Sequence, residues 1–235
     1  MIKFYDINKQ DKHLHNTFIR LLRKHFKKSD FILGQSVKNF EINFSNFTKS
    51  KFAVGCANGT DALYLALKVL NLPKNSEVIV PAMTWVSTVL AIVNNNLKPI
   101  LVDVNKDDCL ISLSEIKKNL SLKTKVILPV NLYGGVVNIK EIKNIIKNKK
   151  IFIIEDSAQA HGGKDNFGNN IGKHSDLSCY SFYPGKNLGC YGDGGMITTN
   201  KNKFYQKIIK LRNLGQKRKN IHDEIGVNSR LDSIQ

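Results

Sequence analysis

Apolar positions along this chain follow two different periods. Residues 12–28 read as an amphipathic helix, and Ser36 to Thr48 as a second one with Val37, Phe40, Phe44 and Phe47 as its stripe. Aromatic residues at that spacing fit a core face better than a cofactor box. From Phe52 onward short apolar runs alternate with amphipathic stretches. F-A-V-G (52–55), E-V-I-V-P, K-P-I-L-V-D-V, T-K-V-I-L-P-V, K-I-F-I-I-E-D and the run ending at Ser181 are strands. Between them lie helices expected after Asp61, over Trp85–Asn95, over Ser112–Leu120 with a Ser112/Glu115 capping pattern, and over Ile139–Lys147. Strand character returns in M-I-T-T, and Lys201–Asn213 is a further helix. Residues 162–176 form a Gly- and Asn-rich loop or hairpin, and the polar tail Gly215–Gln235 has no clear period. This alternation predicts an α/β fold, a mainly parallel sheet covered by helices on both faces. Such sheets bind ligands beyond the carboxyl ends of their strands. Here those ends carry Pro81, Asp103, Asn131-Leu132-Tyr133-Gly134, Asp156 and Ser181.

Composition narrows the function classes. A chain of 235 residues with 42% hydrophobic residues can bury a substantial core. No stretch approaches the ~20 apolar residues of a membrane span, and no charged-then-apolar leader opens the chain, so the expectation is a cytoplasmic protein without membrane contact. Cys56, Cys109, Cys179 and Cys190 lie far apart, form no C-x-x-C pair, and are expected to be buried thiols. His13, His15 and His25 form no helical H-x-x-x-H pair and read as solvated helix residues, so no metal is expected. The formal charge of +17 admits a nucleic-acid partner, compositional drift, or help in collecting an anionic substrate. The lysines are scattered over helix surfaces without interleaved aromatics, which favours drift and argues against nucleic acid.

Candidate chemistry concentrates between Ser178 and Asn200. Lys186 follows the Pro184-Gly185 break at the end of a strand and precedes G-C-Y-G-D-G-G. A lysine held beside glycines that permit close backbone approach is a candidate amine nucleophile. The glycine loop lacks G-x-G-x-x-G spacing and precedes a strand, which argues against a dinucleotide fingerprint; P-loop and G-x-S-x-G sequences are absent. Asp156 ends an apolar strand, where a carboxylate needs a partner. A pyridinium nitrogen is one such partner, and it makes Lys186 a carrier of pyridoxal phosphate. Gln159 can donate to the ring hydroxyl, Trp85 offers a stacking face, and Gly59, Thr60 and Ser181 can hold the phosphate near a helix start.

A-N-G-T-D-A-L-Y-L-A-L, S-E-V-I-V-P-A-M-T-W-V, I-I-E-D-S-A-Q-A-H-G, S-F-Y-P-G-K-N-L-G-C-Y-G-D-G-G and G-V-N-S-R-L-D-S-I-Q resemble the DegT/DnrJ/EryC1/StrS family of pyridoxal-phosphate-dependent sugar aminotransferases. The motifs keep family order across nearly the whole chain. The resemblance implies a type I aminotransferase-like large domain spanning 1–235, with an N-terminal helical segment over about 1–50. It implies a Schiff base on Lys186, the ring nitrogen on Asp156, the ring hydroxyl on Gln159, and the ring under Trp85. Gly59, Thr60 and Ser181 are then the phosphate ligands. Asn228, in the motif that also holds Arg230, reaches the phosphate of a neighbouring subunit, implying a homodimer with shared active sites.

The implied reaction moves an amino group from glutamate, leaving 2-oxoglutarate, to a nucleotide-linked keto sugar in amino-sugar biosynthesis. Gln159 with L-Y-G resembles the branch acting at C3; the alternatives are C4 transamination and a non-catalytic, cofactor-binding remnant. A dehydratase of the same fold carries histidine at the lysine position, so Lys186 argues against it. Two departures stand out. Asn131 occupies a position where the family usually has histidine, with altered substrate contacts expected. The chain also stops at Gln235, where family members continue into a small C-terminal domain, so a truncated chain is expected.

Overall fold

The computed structural model describes residue 9, residues 12–147 and residues 149–235; the start of the helical segment expected over 1–50 lies outside them. Helices α1 (His15–Lys28) and α2 (Gln35–Thr48) come first. Both stop at a left-handed residue, Ser29 and Lys49, whose N–H closes back on the last turn. Val37 and Phe44 are buried as expected, but Phe47 is 55% exposed, with its ring against Gly162. His25 is more than a solvated helix residue: its ring nitrogens lie 3.1 Å from the Asp30 carbonyl and 3.1 Å from Ser36 Oγ, fastening α1 to the start of α2.

Strands β1 (Phe52–Cys56), β2 (Glu77–Pro81), β3 (Lys98–Val102), β4 (Thr124–Ile127), β5 (Phe152–Asp156), β6 (Leu177–Ser181) and β7 (Gly195–Thr199) form one sheet among the described residues. Its order is β1-β7-β6-β5-β4-β2-β3. Only β7 runs against the others, antiparallel to β1 and β6. Helices α3 (Gly59–Lys68), α4 (Val86–Asn94), α5 (Leu113–Asn119), α6 (Ile139–Ile146) and α7 (Asn202–Leu211) cover both faces. Alternation along each strand divides the core. Val78, Val80 and Ile154 pack with α3, α4 and α7 on one face. Ile79, Ile127 and Ile153 pack with α5 and α6 on the other, where Phe44 of α2 also meets Tyr180 and Phe182. The expected cap is present, Ser112 Oγ accepting the Glu115 N–H at 3.4 Å. Cys56 and Cys179 are buried, whereas Cys109 and Cys190 are only partly so.

The polar tail has more order than its sequence suggests. It opens with a two-stranded hairpin, β8 (Gln216–Arg218) and β9 (Ile221–His222). It then returns along the body, where Val227 and Ser229 donate their N–H groups to the carbonyls of Leu211 and Arg212. Arg212, buried, pairs through Nη1 with Glu41 and the Gly55 carbonyl, joining α2, β1 and α7.

Candidate active site

The carboxyl ends of β1, β2, β4, β5 and β6 share one edge of the sheet, and the predicted site residues gather there. Strand periodicity puts Asp156 on the Ile154 face, toward α4. Thr88 of α4, fully buried, donates to Asp156 Oδ2 at 2.8 Å, and the Ala158 N–H donates to Oδ1 at 3.2 Å. Thr84 Oγ1 supports Thr88 from 2.7 Å. Burial raises the Asp156 pKa, against opposing effects of Thr88, Ala158 and the nearby Lys186 charge. The carboxylate is therefore short of partners and close to a cation.

Asn58 caps α3, its Oδ1 accepting the Asp61 N–H at 2.8 Å. Helix geometry gives the amides of Gly59 and Thr60 no carbonyl within α3, so they face outward from its positive end. A Cβ on Gly59 would lie 2.6 Å from Ser181 Cβ, so only glycine allows α3 to start this close to the end of β6. Thr60 Oγ1 donates to Ser87 Oγ at 2.8 Å. Gly59, Thr60, Ser87 and Ser181 thus form a small cradle of amides and hydroxyls. Trp85 is the residue before α4 and is 74% exposed, with its indole free to cover a ligand.

Lys186 closes a turn in which its N–H donates to the Tyr183 carbonyl at 2.8 Å. With Tyr133, Gln159, Gly185 and Asn187 it lines a cleft of about 360 Å³. Gln159 Oε1 accepts the Tyr133 N–H at 2.8 Å, which leaves the amide nitrogen as the end free to serve a ligand. Asn131 departs from expectation. It is fully buried, bonded to Glu155, Ser157 and Val137, and cannot touch a substrate. Asn228 is exposed, at a bridge to Asn213. Arg230 donates to Asn213 Oδ1 at 3.1 Å.

Thr88 and Ser87 were not among the residues picked from the sequence, and Tyr133 was named only as part of a strand end, with no role. Thr88 had a signal: a polar residue on the inward side of an otherwise apolar helix needs a buried partner. His161 is another addition. Its ring packs against Tyr180 and Phe182, 5.6 and 5.7 Å between centroids, and burial holds its pKa down.

Residues 12–235 match the model of the DegT/DnrJ/EryC1/StrS aminotransferase family. The chain belongs to that family. It is 37% identical over 234 residues to a pleiotropic regulatory protein of Geobacillus stearothermophilus, covering 100% of this chain and 63% of that one. It is 37% identical over 205 residues to the dTDP-3-amino-3,4,6-trideoxy-alpha-D-glucose transaminase of Streptomyces venezuelae, covering 87% of this chain and 54% of the relative. The crystal structure of NtdA from Bacillus subtilis with bound cofactor PMP superposes with a TM-score of 0.93 at 29% identity, over 100% of this chain and 54% of that chain. The family member described here therefore spans between about half and two thirds of the length of these relatives. No helix among its described residues is long and apolar enough to cross a membrane.

Proposed function

We propose that the chain is the cofactor-binding large domain of a pyridoxal-phosphate-dependent aminotransferase, spanning 1–235 with a helical segment over about its first fifty residues. The observation that carries this reading is the convergence of a buried, under-partnered carboxylate, a glycine-opened cradle of amides and hydroxyls, and a lysine on one sheet edge. These groups fit the cofactor part for part. Asp156 would balance the ring nitrogen, which burial alone leaves it short of. Gly59, Thr60 and Ser181 would hold the phosphate where a Cβ would close the cradle. Gln159 would donate to the ring hydroxyl, and Trp85 would cover the ring.

When bound, pyridoxal phosphate supplies an electron sink for the electron pair left as a proton departs from the carbon bearing the amine. The residues do the rest. Asp156 would keep the proton on the ring nitrogen. Lys186 Nζ would hold the cofactor and, as a free amine, would be the base that takes a proton from the substrate carbon and the acid that gives it back. Trp85 would exclude water from one ring face, and the same Nζ would serve the reverse proton transfer.

The acceptor we propose is a nucleotide-linked 3-keto sugar, with glutamate as donor, in keeping with the 3-amino product named for the Streptomyces relative. Asn228 is exposed and so is available to a second copy, which supports a homodimer with shared sites. The test is direct. Protein incubated with pyridoxal phosphate and reduced with borohydride carries the cofactor on the Lys186 peptide, and Lys186→Ala abolishes the label. Glutamate-dependent amination of a keto nucleotide sugar then follows in wild type. Label on other lysines with none on Lys186 refutes the assignment.

A further inference from the structure

The chain takes a constrained path after β4. Tyr133 adopts φ 53° and ψ 23°, and Gly134 follows at φ 88°. Glycine enters the left-handed region freely, but a tyrosine stays there only when its surroundings hold it. Three sets of bonds do so. Behind the turn, Asn131 donates to Glu155 Oε2 at 3.1 Å and Ser157 Oγ at 2.9 Å, and accepts the Val137 N–H at 2.9 Å. Within it, the Leu132 carbonyl accepts the Gly135 N–H at 2.9 Å. At its apex, Gln159 Oε1 accepts the Tyr133 N–H at 2.8 Å.

The side chain placed with this effort gains nothing from burial. Tyr133 is 75% exposed, on the wall of the cleft that also holds Lys186 and Asn187. A held left-handed residue whose aromatic ring lines a cleft points to ligand recognition. A hexose suits this wall. Its ring carries an apolar face of C–H groups edged by hydroxyls, and tyrosine offers a flat face with a hydroxyl that both donates and accepts.

We infer that Tyr133 is a specificity-determining residue whose ring packs against the hexose of a nucleotide-linked sugar, and that Gln159 is a positioning residue holding Tyr133 through its backbone N–H, roles that rest on the transaminase reading of the same site. Gln159 thereby joins the two ligands: its oxygen sets the substrate wall, and only its amide nitrogen remains for the cofactor.

The test compares calorimetric binding of UDP-N-acetylglucosamine and dTDP-glucose with that of UDP and dTDP, in the cofactor-treated chain. Wild type prefers at least one sugar-linked form over its free diphosphate. Tyr133→Ala lowers that preference about five- to ten-fold, while affinity for the free diphosphate is held. Gln159→Ala loses the preference in the same way, whereas Gln159→Glu keeps it because a carboxylate still accepts the Tyr133 N–H. An unchanged preference in Tyr133→Ala, an equal loss for the free diphosphates, or a wild type that does not distinguish the pairs overturns the role of Tyr133. Retention in Gln159→Ala overturns the positioning role. Borohydride labelling of Lys186 in the same samples separates the failures. An unlabelled wild type refutes the transaminase reading, and labelled protein with an unchanged sugar preference refutes the recognition role alone.

Discussion

Asp156→Asn separates what the buried acid costs the fold from what it gives the site. The carboxyl is 5% exposed and accepts hydrogen bonds from Thr88 and the Ala158 N–H. Burial raises its pKa above the ordinary 3.8, and the two donors and Lys186 offset this only in part. The folded chain therefore holds this proton more tightly than the unfolded chain does. Stability from this group is fully present below pH 3.8, and it is lost as the pH rises through the raised folded value. The loss is about 1.4 kcal/mol for each pH unit in that window. Asparagine has one acceptor oxygen for two donors and gives up a hydrogen bond of about 1 kcal/mol, but the protonated acid does the same. The two chains should thus match near the acid end, and the variant should gain on wild type toward neutral pH. Glu155, whose pKa burial also raises, is present in both and cancels from the difference. Urea unfolding of cofactor-free protein from about pH 4 to about pH 8 reads the effect. Added pyridoxal phosphate should reverse the order, because asparagine cannot balance a protonated ring nitrogen. A variant whose stability falls with pH in parallel with wild type refutes the account of Asp156 as a buried, titrating acid. One that keeps wild-type cofactor affinity refutes its pairing with the ring.

Gly59→Ala brings a Cβ to 2.6 Å from Ser181 Cβ, so α3 must back away from β6. Cofactor affinity measured by absorbance titration should fall at least about ten-fold, with a stability loss of about 1–3 kcal/mol; unchanged affinity removes the cradle from the phosphate site. Asn131→Leu leaves Glu155, Ser157 and the Val137 N–H each short of a bond and should cost about 2–4 kcal/mol in urea unfolding, despite the similar side-chain size. Arg212→Met leaves Glu41 without its cation and should cost about 3–5 kcal/mol, a loss that Glu41→Gln in the same chain partly restores. Additive losses in that pair contradict a direct coupling.

Much of this architecture is written locally. Strand runs such as E-V-I-V-P are apolar on both faces, and the helices between them carry their caps in sequence, as Ser112 and Asn58 do. The reversed direction of β7 is not written locally. M-I-T-T looks like any other strand, and its sense is set by how the chain from Ser181 to Gly195 doubles back. Gly59, Thr60 and Ser181 could be chosen as anion ligands because each sits at a strand or helix end, but their contact across more than a hundred residues is a tertiary fact. Asn131 was expected to alter substrate contacts because it stands where the family usually has histidine, and only packing reveals that it faces Glu155. The conformation of Tyr133 has even less local signal, since a tyrosine before glycine carries no mark of a left-handed backbone.

The two adjacent acids on β5 put the distinction between structural and functional residues on physical ground. Glu155 and Asp156 share a strand end, both are buried, and burial raises the pKa of each. They point to opposite faces, and their partners differ in kind. Glu155 Oε1 accepts Ser175 Oγ at 2.6 Å, the Gly172 N–H at 2.9 Å and Ser178 Oγ at 3.2 Å, while Oε2 accepts Asn131 Nδ2. These donors belong to the loop before β6, to β6 itself and to the turn after β4, so Glu155 is fully employed in tying segments together. Asp156 has one donor on each oxygen and the charge of Lys186 near it. A carboxylate accepts about four hydrogen bonds. The acid that remains short of partners beside a lysine is the one able to take a cationic ring nitrogen, and the satisfied acid behind it holds the Tyr133 turn. The division of labour follows from which face each residue occupies, and a one-residue slip in the register of β5 would exchange the two roles.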